Sequence, residues 1–91
     1  MNSYRIKCVN KKAYKRVKQV LESVNIKFKD KESFIKIKDN GININDIYSL
    51  LVNDHISFIL YEYDKNTKAL TRVTSHRDTS ANREIDDYEI I

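Results

Sequence analysis

Apolar residues in this chain recur at two different periods, and the two alternate along its length. Tyr4-Arg5-Ile6-Lys7-Cys8-Val9 switches between apolar and charged side chains, the period of a strand with one buried face. From Asn10 the spacing becomes helical. Tyr14, Val17, Val20, Leu21 and Val24 fall along one side, while Lys11, Lys12, Lys15, Arg16 and Lys18 occupy the rest. Asn10 is the expected N-cap, because its side-chain oxygen can accept a free backbone N–H of the first turn. The cations that follow it oppose the helix dipole, so helix formation does not explain them. Ile26-Lys27-Phe28-Lys29 and Phe34-Ile35-Lys36-Ile37-Lys38 alternate again across the polar Asp30-Lys31-Glu32-Ser33, which predicts a hairpin or two adjacent strands. Asp39-Asn40-Gly41 signals a turn. Asn43 followed by Asp46 marks a second helix start, and Ile44, Ile47, Tyr48 and Leu51 give that helix an apolar side, ending near Asp54 or His55. Ile56 to Tyr63 reads as a strongly apolar strand, Asp64 to Lys68 as a turn, and Ala69 to Thr74 as a fifth strand.

That order, β-α-β-β-α-β with an extra strand, predicts an α+β domain of the ferredoxin-like type: an antiparallel sheet with both helices on one face and the other face open. The chain of 91 residues is expected to form a single domain over residues 1–74, followed over residues 75–91 by a polar linker and an acidic, apolar tail. A winged-helix domain competes, with 56–74 as its wing, but only two long helices are visible and a strand precedes the first. With no proline and a single glycine, the chain lacks the composition of a long disordered linker. A core this small and its unpaired sheet edges make association with a second copy favourable, so a two-fold homodimer is expected, with the fifth strand pairing either with its own sheet or across to the second subunit.

Charge is divided unevenly between the two halves. Residues 1–38 hold twelve Lys/Arg against three Asp/Glu, a net of +9, and residues 39–91 hold five against ten, a net of −5. A basic half attracts phosphate, an anionic protein or the chain's own acidic tail. The single Cys8 excludes an internal disulfide and suits a reducing cytoplasm. No run approaches the roughly 20 apolar residues of a membrane span, and the first residues lack a signal-peptide apolar stretch. A cytoplasmic protein without membrane contact is therefore expected. The wealth of Lys, Asn and Ile fits an AT-rich genome, such as that of a plasmid or phage.

Alternation also assigns faces. With Ile6, Cys8, Ile26, Phe28, Ile35 and Ile37 inward, the residues Arg5, Lys7, Lys27, Lys29, Phe34, Lys36 and Lys38 point away from the helices. Burial of Phe58 and Leu60 would add Ile59, Tyr61 and Tyr63 to the same face. Cations beside aromatic rings can hold phosphate and stack unpaired bases. The candidate nucleic-acid-binding residues are thus Arg5, Lys7, Lys27, Lys29, Phe34, Lys36, Lys38, Tyr61 and Tyr63, assisted by Lys11, Lys12 and Lys15 of the first helix. Lysines on a solvent-facing strand also serve simply to protect sheet edges.

RNA-recognition motifs share this element order, but the third strand here, Phe34 to Lys38, has no glycine, and the first strand exposes Arg5 and Lys7 where those domains carry a stacking ring. Acylphosphatases resemble the chain in size and strand order, yet Val9-Asn10-Lys11-Lys12 has no glycine to form their anion cradle. The CRISPR spacer-acquisition nucleases resemble the layout, including a fifth strand that completes a dimer, but their metal-binding Asp has no counterpart at Val9 or Asn10. His55 and His76 lack ligand spacing, so neither a metal nor another cofactor is expected. His55 is expected to cap the second helix and His76 to be solvated. His76-Arg77-Asp78 is similar to the kinase catalytic-loop tripeptide, with nothing else of a kinase beside it. Cys8 falls on an inward position, and no nucleophile–base pair can be assembled.

Two functions from different classes follow: a non-enzymatic nucleic-acid-binding module, or a small inhibitor or adaptor that acts on a host protein or nucleoprotein complex, of the kind mobile elements encode. The stretch from Thr74 to Arg83 is expected to be mobile. Beyond it, Ile85, Asp86, Asp87, Tyr88, Ile90 and Ile91 mix acids with apolar anchors and form a candidate partner-binding segment, compositionally similar to the acidic end of single-stranded DNA-binding proteins.

Overall fold

A computed structural model describes residues 2–38 and 41–78. Its elements run β1 (Ser3–Cys8), α1 (Lys11–Ser23), β2 (Lys29–Lys31), β3 (Phe34–Lys38), α2 (Ile44–Asn53), β4 (Phe58–Asp64) and β5 (Ala69–His76). The protein is α+β, with one five-stranded antiparallel sheet in the order β2-β3-β1-β4-β5. This is compatible with a ferredoxin-like arrangement, from whose four-strand order it differs by the strand added beside β4.

Both helices begin and end by the same chemistry. Asn10 caps α1 by accepting from the Ala13 N–H at 2.8 Å, and Asn43 caps α2 by accepting from the Asn45 N–H at 3.0 Å. At the far ends, Asn25 and His55 adopt positive φ, 61° and 60°. The following N–H groups then turn back: Ile26 donates to Leu21 O at 2.9 Å and Ile56 to Leu51 O at 3.1 Å. Each helix therefore closes with a Schellman motif whose apolar residue tucks under the last turn, with Asn and His in the position glycine usually takes. Ile56 is thus the stop of α2 and not the start of a strand, which is why β4 begins two residues later than the apolar run suggests.

One core lies between the helices and the sheet. Ile6 and Cys8 of β1, Ile35 and Ile37 of β3, and Phe58 and Leu60 of β4 meet Val17 and Leu21 of α1, Ile47 and Leu51 of α2, and Ile56. Tyr14, Tyr48, Ile26 and Phe28 pack at its margin. Burial of these apolar side chains is the main stabilising term. Burial also pushes the Cys8 thiol from 9.0 up to about 12, so it is an inert packing residue.

Two strands differ from expectation. The second covers Lys29–Lys31 instead of Ile26–Lys29, because a tight turn at Glu32-Ser33 fixes the register Lys29↔Lys36, Asp30↔Ile35, Lys31↔Phe34. The Tyr14 hydroxyl holds that turn by donating to Ser33 O at 2.6 Å. Lys27 consequently lies outside any strand. The fifth strand continues past Thr74 to His76, so the first residues of the stretch expected to be mobile are part of the sheet. His76 is not solvated: its ring packs against Tyr48 and Phe58, and its Nδ1 lies 3.1 Å from Ile56 O. Between Leu60↔Thr74 and Tyr61↔Arg72 the pairing shifts, leaving Val73 as the extra residue of a β-bulge. The segment 84–91, with its candidate partner-binding residues, lies outside the described residues.

Candidate nucleic-acid interface

The strands sort their charges completely by face. Asp30 pairs with Ile35, Glu62 with Tyr4, and Asp64 with Ala69, so every carboxylate of the described strands lies in the helix-facing register. Arg5, Lys7, Lys29, Lys31, Lys36, Lys38 and Arg72, which are all the strand cations, lie in the outer register. A transverse row Lys29–Lys36–Arg5–Tyr61–Arg72 crosses all five strands through directly opposed pairs. At about 4.8 Å per strand gap the row is roughly 19 Å long.

Arg5 is the fixed point of this face. Its guanidinium carbon lies 4.4 Å from the Phe34 ring centroid and 4.3 Å from that of Tyr63, so it is sandwiched between the two. These rings are its diagonal neighbours on β3 and β4, within the reach of long side chains. Arg5 Nε is buried and has no hydrogen-bond partner. One face each of Phe34 and Tyr63 therefore holds the cation in place, leaving Tyr61, half-buried between Arg5 and Arg72 in the row, as the ring next to two cations.

Lys36 has a like charge directly opposite on each side, Lys29 and Arg5. Partial withdrawal from water and, after it, the fields of Lys29, Lys31, Lys38 and Arg5 hold its ammonium below the ordinary value of 10.5. The cations of α1 are arranged differently. Arg16 makes a forked ion pair with Asp54 at 2.6 Å, and Lys18 meets Asp30 at 2.8 Å. Among the described residues, no ion pair engages Lys27, Lys29, Lys36 or Lys38.

Of the residues expected at this interface, the structure brings Arg5, Lys7, Lys29, Phe34, Lys36, Lys38, Tyr61 and Tyr63 onto one face. It does not bring Lys11, Lys12 and Lys15 there. They are exposed on α1, which packs against the opposite face. Lys27 precedes β2 and lines a cavity beside it. Ile59 has the outer register but is buried, 5% exposed, with Val9 and Ser57 equally enclosed near it. There the Asp78 N–H donates to Ser57 Oγ at 2.9 Å. Sequence reasoning missed Lys31, assigned to a turn, and Arg72, whose face depends on the bulge.

Among the described residues no group of three or more His, Cys, Asp and Glu could hold a metal ion, and no helix is long and apolar enough to cross a membrane. Compared with family models, curated proteins and solved structures, the chain finds no match.

Proposed function

We propose that the protein is a non-enzymatic nucleic-acid-binding module of the cytoplasm that holds a phosphate backbone along the outer face of its sheet. The observation that supports this reading is the segregation of charge: strand cations all outward, strand carboxylates all inward. Protection of exposed edges requires lysines at sheet edges only, whereas here Arg5 and Lys7 of β1 and Lys36 of β3 belong to interior parts of the sheet. Arg5, held between rings, loses little side-chain freedom on meeting a phosphate, and the mobile lysines around it add attraction without base preference. Titration of a labelled single-stranded oligonucleotide across a salt series tests the reading. Four phosphate contacts, one for each cation of the transverse row, give a slope of about −2.8 in log affinity against log salt. A flat slope, or no binding at low salt, overturns it.

A second reading, an adaptor or inhibitor that pairs with another protein, draws on β5. This strand is an eight-residue sheet edge, pairs on one side only among the described residues, and exposes Leu70 at 48% and Val73 at 44%. Such an edge offers unpaired N–H and C=O groups to another strand. A second copy meets that need, two β5 strands pairing antiparallel about a two-fold axis. Light scattering at high micromolar concentration is expected to show a dimer that Val73→Lys dissociates; a monomer in the unaltered chain refutes the assembly. A different protein that survives nuclease treatment in affinity purification favours the adaptor.

A further inference from the structure

β2 pairs with β3 only through Lys29, Asp30 and Lys31, so beyond Lys36 the outer edge of β3 has no strand beside it among the described residues. The chain that reaches β2 from α1 diverges there, and a cavity of about 610 Å³ opens between the two, lined by Asn25, Ile26, Lys27, Phe28, Lys29, Lys36, Lys38 and Ile42. This volume lies within the range of small-molecule sites. Its walls are of two kinds. Ile26, Phe28 and Ile42 are apolar and half-buried, packed against the core from below. Asn25 and four lysines supply the polar part, and Lys29 and Lys36 stand directly opposite each other.

Placing like charges opposite one another in a sheet destabilises it. On α1 the fold relieves two of its cations: Arg16 has Asp54 and Lys18 has Asp30. Around the cavity no ion pair among the described residues does so, although Asp30 is only one residue from Lys29. With four cations and no carboxylate among its lining residues, the cavity attracts an anion. Ile26, Phe28 and Ile42 offer apolar contact to a flat group carried by that anion.

We propose that this cavity is a binding site for a single phosphorylated nucleotide, with the phosphate among Lys27, Lys29, Lys36 and Lys38 and the base against Phe28, Ile26 and Ile42. The proposal rests on the reading of the sheet as a nucleic-acid interface, since Lys29 and Lys36 belong to both the cavity and the transverse row. A strand lying on the row would then end in the cavity, with its terminal phosphate at the lysines. The same chemistry is offered by a free nucleotide.

The experiment uses the full chain and three probes: an oligothymidylate labelled at its 3′ end with a 5′-phosphate, the same strand with a 5′-hydroxyl, and adenosine monophosphate alone. The phosphorylated strand is expected to bind about tenfold more tightly than the hydroxyl strand, as an added charge-assisted contact gives. Phe28→Ala, which removes the ring beneath the terminal base, should weaken both strands and adenosine monophosphate, and Lys27→Gln should narrow the difference between the two strands. Lys27 is exposed and outside the core, so its variant folds even if Phe28→Ala does not. Arg72→Gln, in contrast, should weaken both strands equally. Adenosine monophosphate that binds as tightly as the phosphorylated strand, with the same sensitivity to Lys27→Gln, supports the site and makes the free nucleotide its ligand. Equal affinity for the two strands, with no binding of the monophosphate, overturns the cavity proposal while the sheet reading stands. Failure of both strands to bind at low salt overturns the sheet reading itself.

Discussion

Replacing Lys36 by glutamine should make the protein more stable and a weaker ligand for nucleic acid. The side chain faces Lys29 across one strand gap and Arg5 across the other. Like charges opposed in this way cost a few tenths to about 1 kcal/mol per pair. Lys36 is only half-buried, and the Debye length is about 10 Å at 0.1 M salt, so most of that repulsion is screened. A net gain of about 0.5 kcal/mol is expected, which for a domain of this size raises Tm by roughly 2–4 °C. The gain should grow near 0.01 M salt, where the Debye length reaches about 30 Å. It should shrink as pH climbs towards 10.5. The ammonium is held below that value in the folded state, so over the intervening window the unfolded chain binds more protons and stability rises with pH for the lysine form only. In the binding assay the same variant loses one phosphate contact, flattening the salt slope by about 0.7. Circular-dichroism melts at several salt concentrations, paired with anisotropy titrations, read both effects. A lowered Tm, or a gain independent of salt, would refute the electrostatic account; an unchanged salt slope would remove Lys36 from the interface.

Three further outcomes are expected. At pH 8–9 iodoacetamide should label Cys8 only through opened molecules, because burial holds the thiol at about 12 against 9.0 unfolded; fast labelling of the native protein contradicts that burial, and the same shift makes stability fall as pH rises from 9.0 towards 12. Asn10→Ala removes the side-chain acceptor for the Ala13 N–H and should cost about 1 kcal/mol in a denaturant titration, against no change if the cap contributes nothing. Deleting residues 84–91 removes four carboxylates and no cations, shifting the net charge from +4 to +8, and should tighten oligonucleotide binding at low salt; weaker binding would instead mark that segment as part of the interface.

Helices and core were legible in the sequence because each rests on local signals. Tyr14, Val17 and Leu21 mark one helical face, Asn10 and Asn43 mark the starts, and alternation alone identified Ile6, Cys8, Ile35 and Ile37 as inward. The second strand was not legible, since its place is dictated by the turn at Glu32-Ser33. Asp30 sits on the helix-facing side of an exposed edge, where Lys18 of α1 meets it, and so leaves no apolar trace. The extension of β5 through Ser75 and His76 was hidden for a related reason: it is secured by pairing with β4 and by ring contacts to Tyr48 and Phe58. At the interface, alternation identified the cations of β1 and β3. The sandwich of Arg5 depends on three strands being in one register, which no single segment encodes.

The bulge at Val73 bears on how such a face could be gained or lost in descent. Thr74 faces the helices with Leu60, while Arg72 faces outward with Tyr61. In an unbulged strand, residues two apart share a face, and Arg72 would have been turned towards the helices, opposite Glu62. A single inserted residue in an edge strand thus moves a whole run of side chains from one surface to the other without altering any of them. The edge tolerates such an insertion because, among the described residues, β5 is bonded on one side only. Length changes of one residue here, more than exchanges of one amino acid for another, would be the fast route by which related chains redistribute charge between their two surfaces.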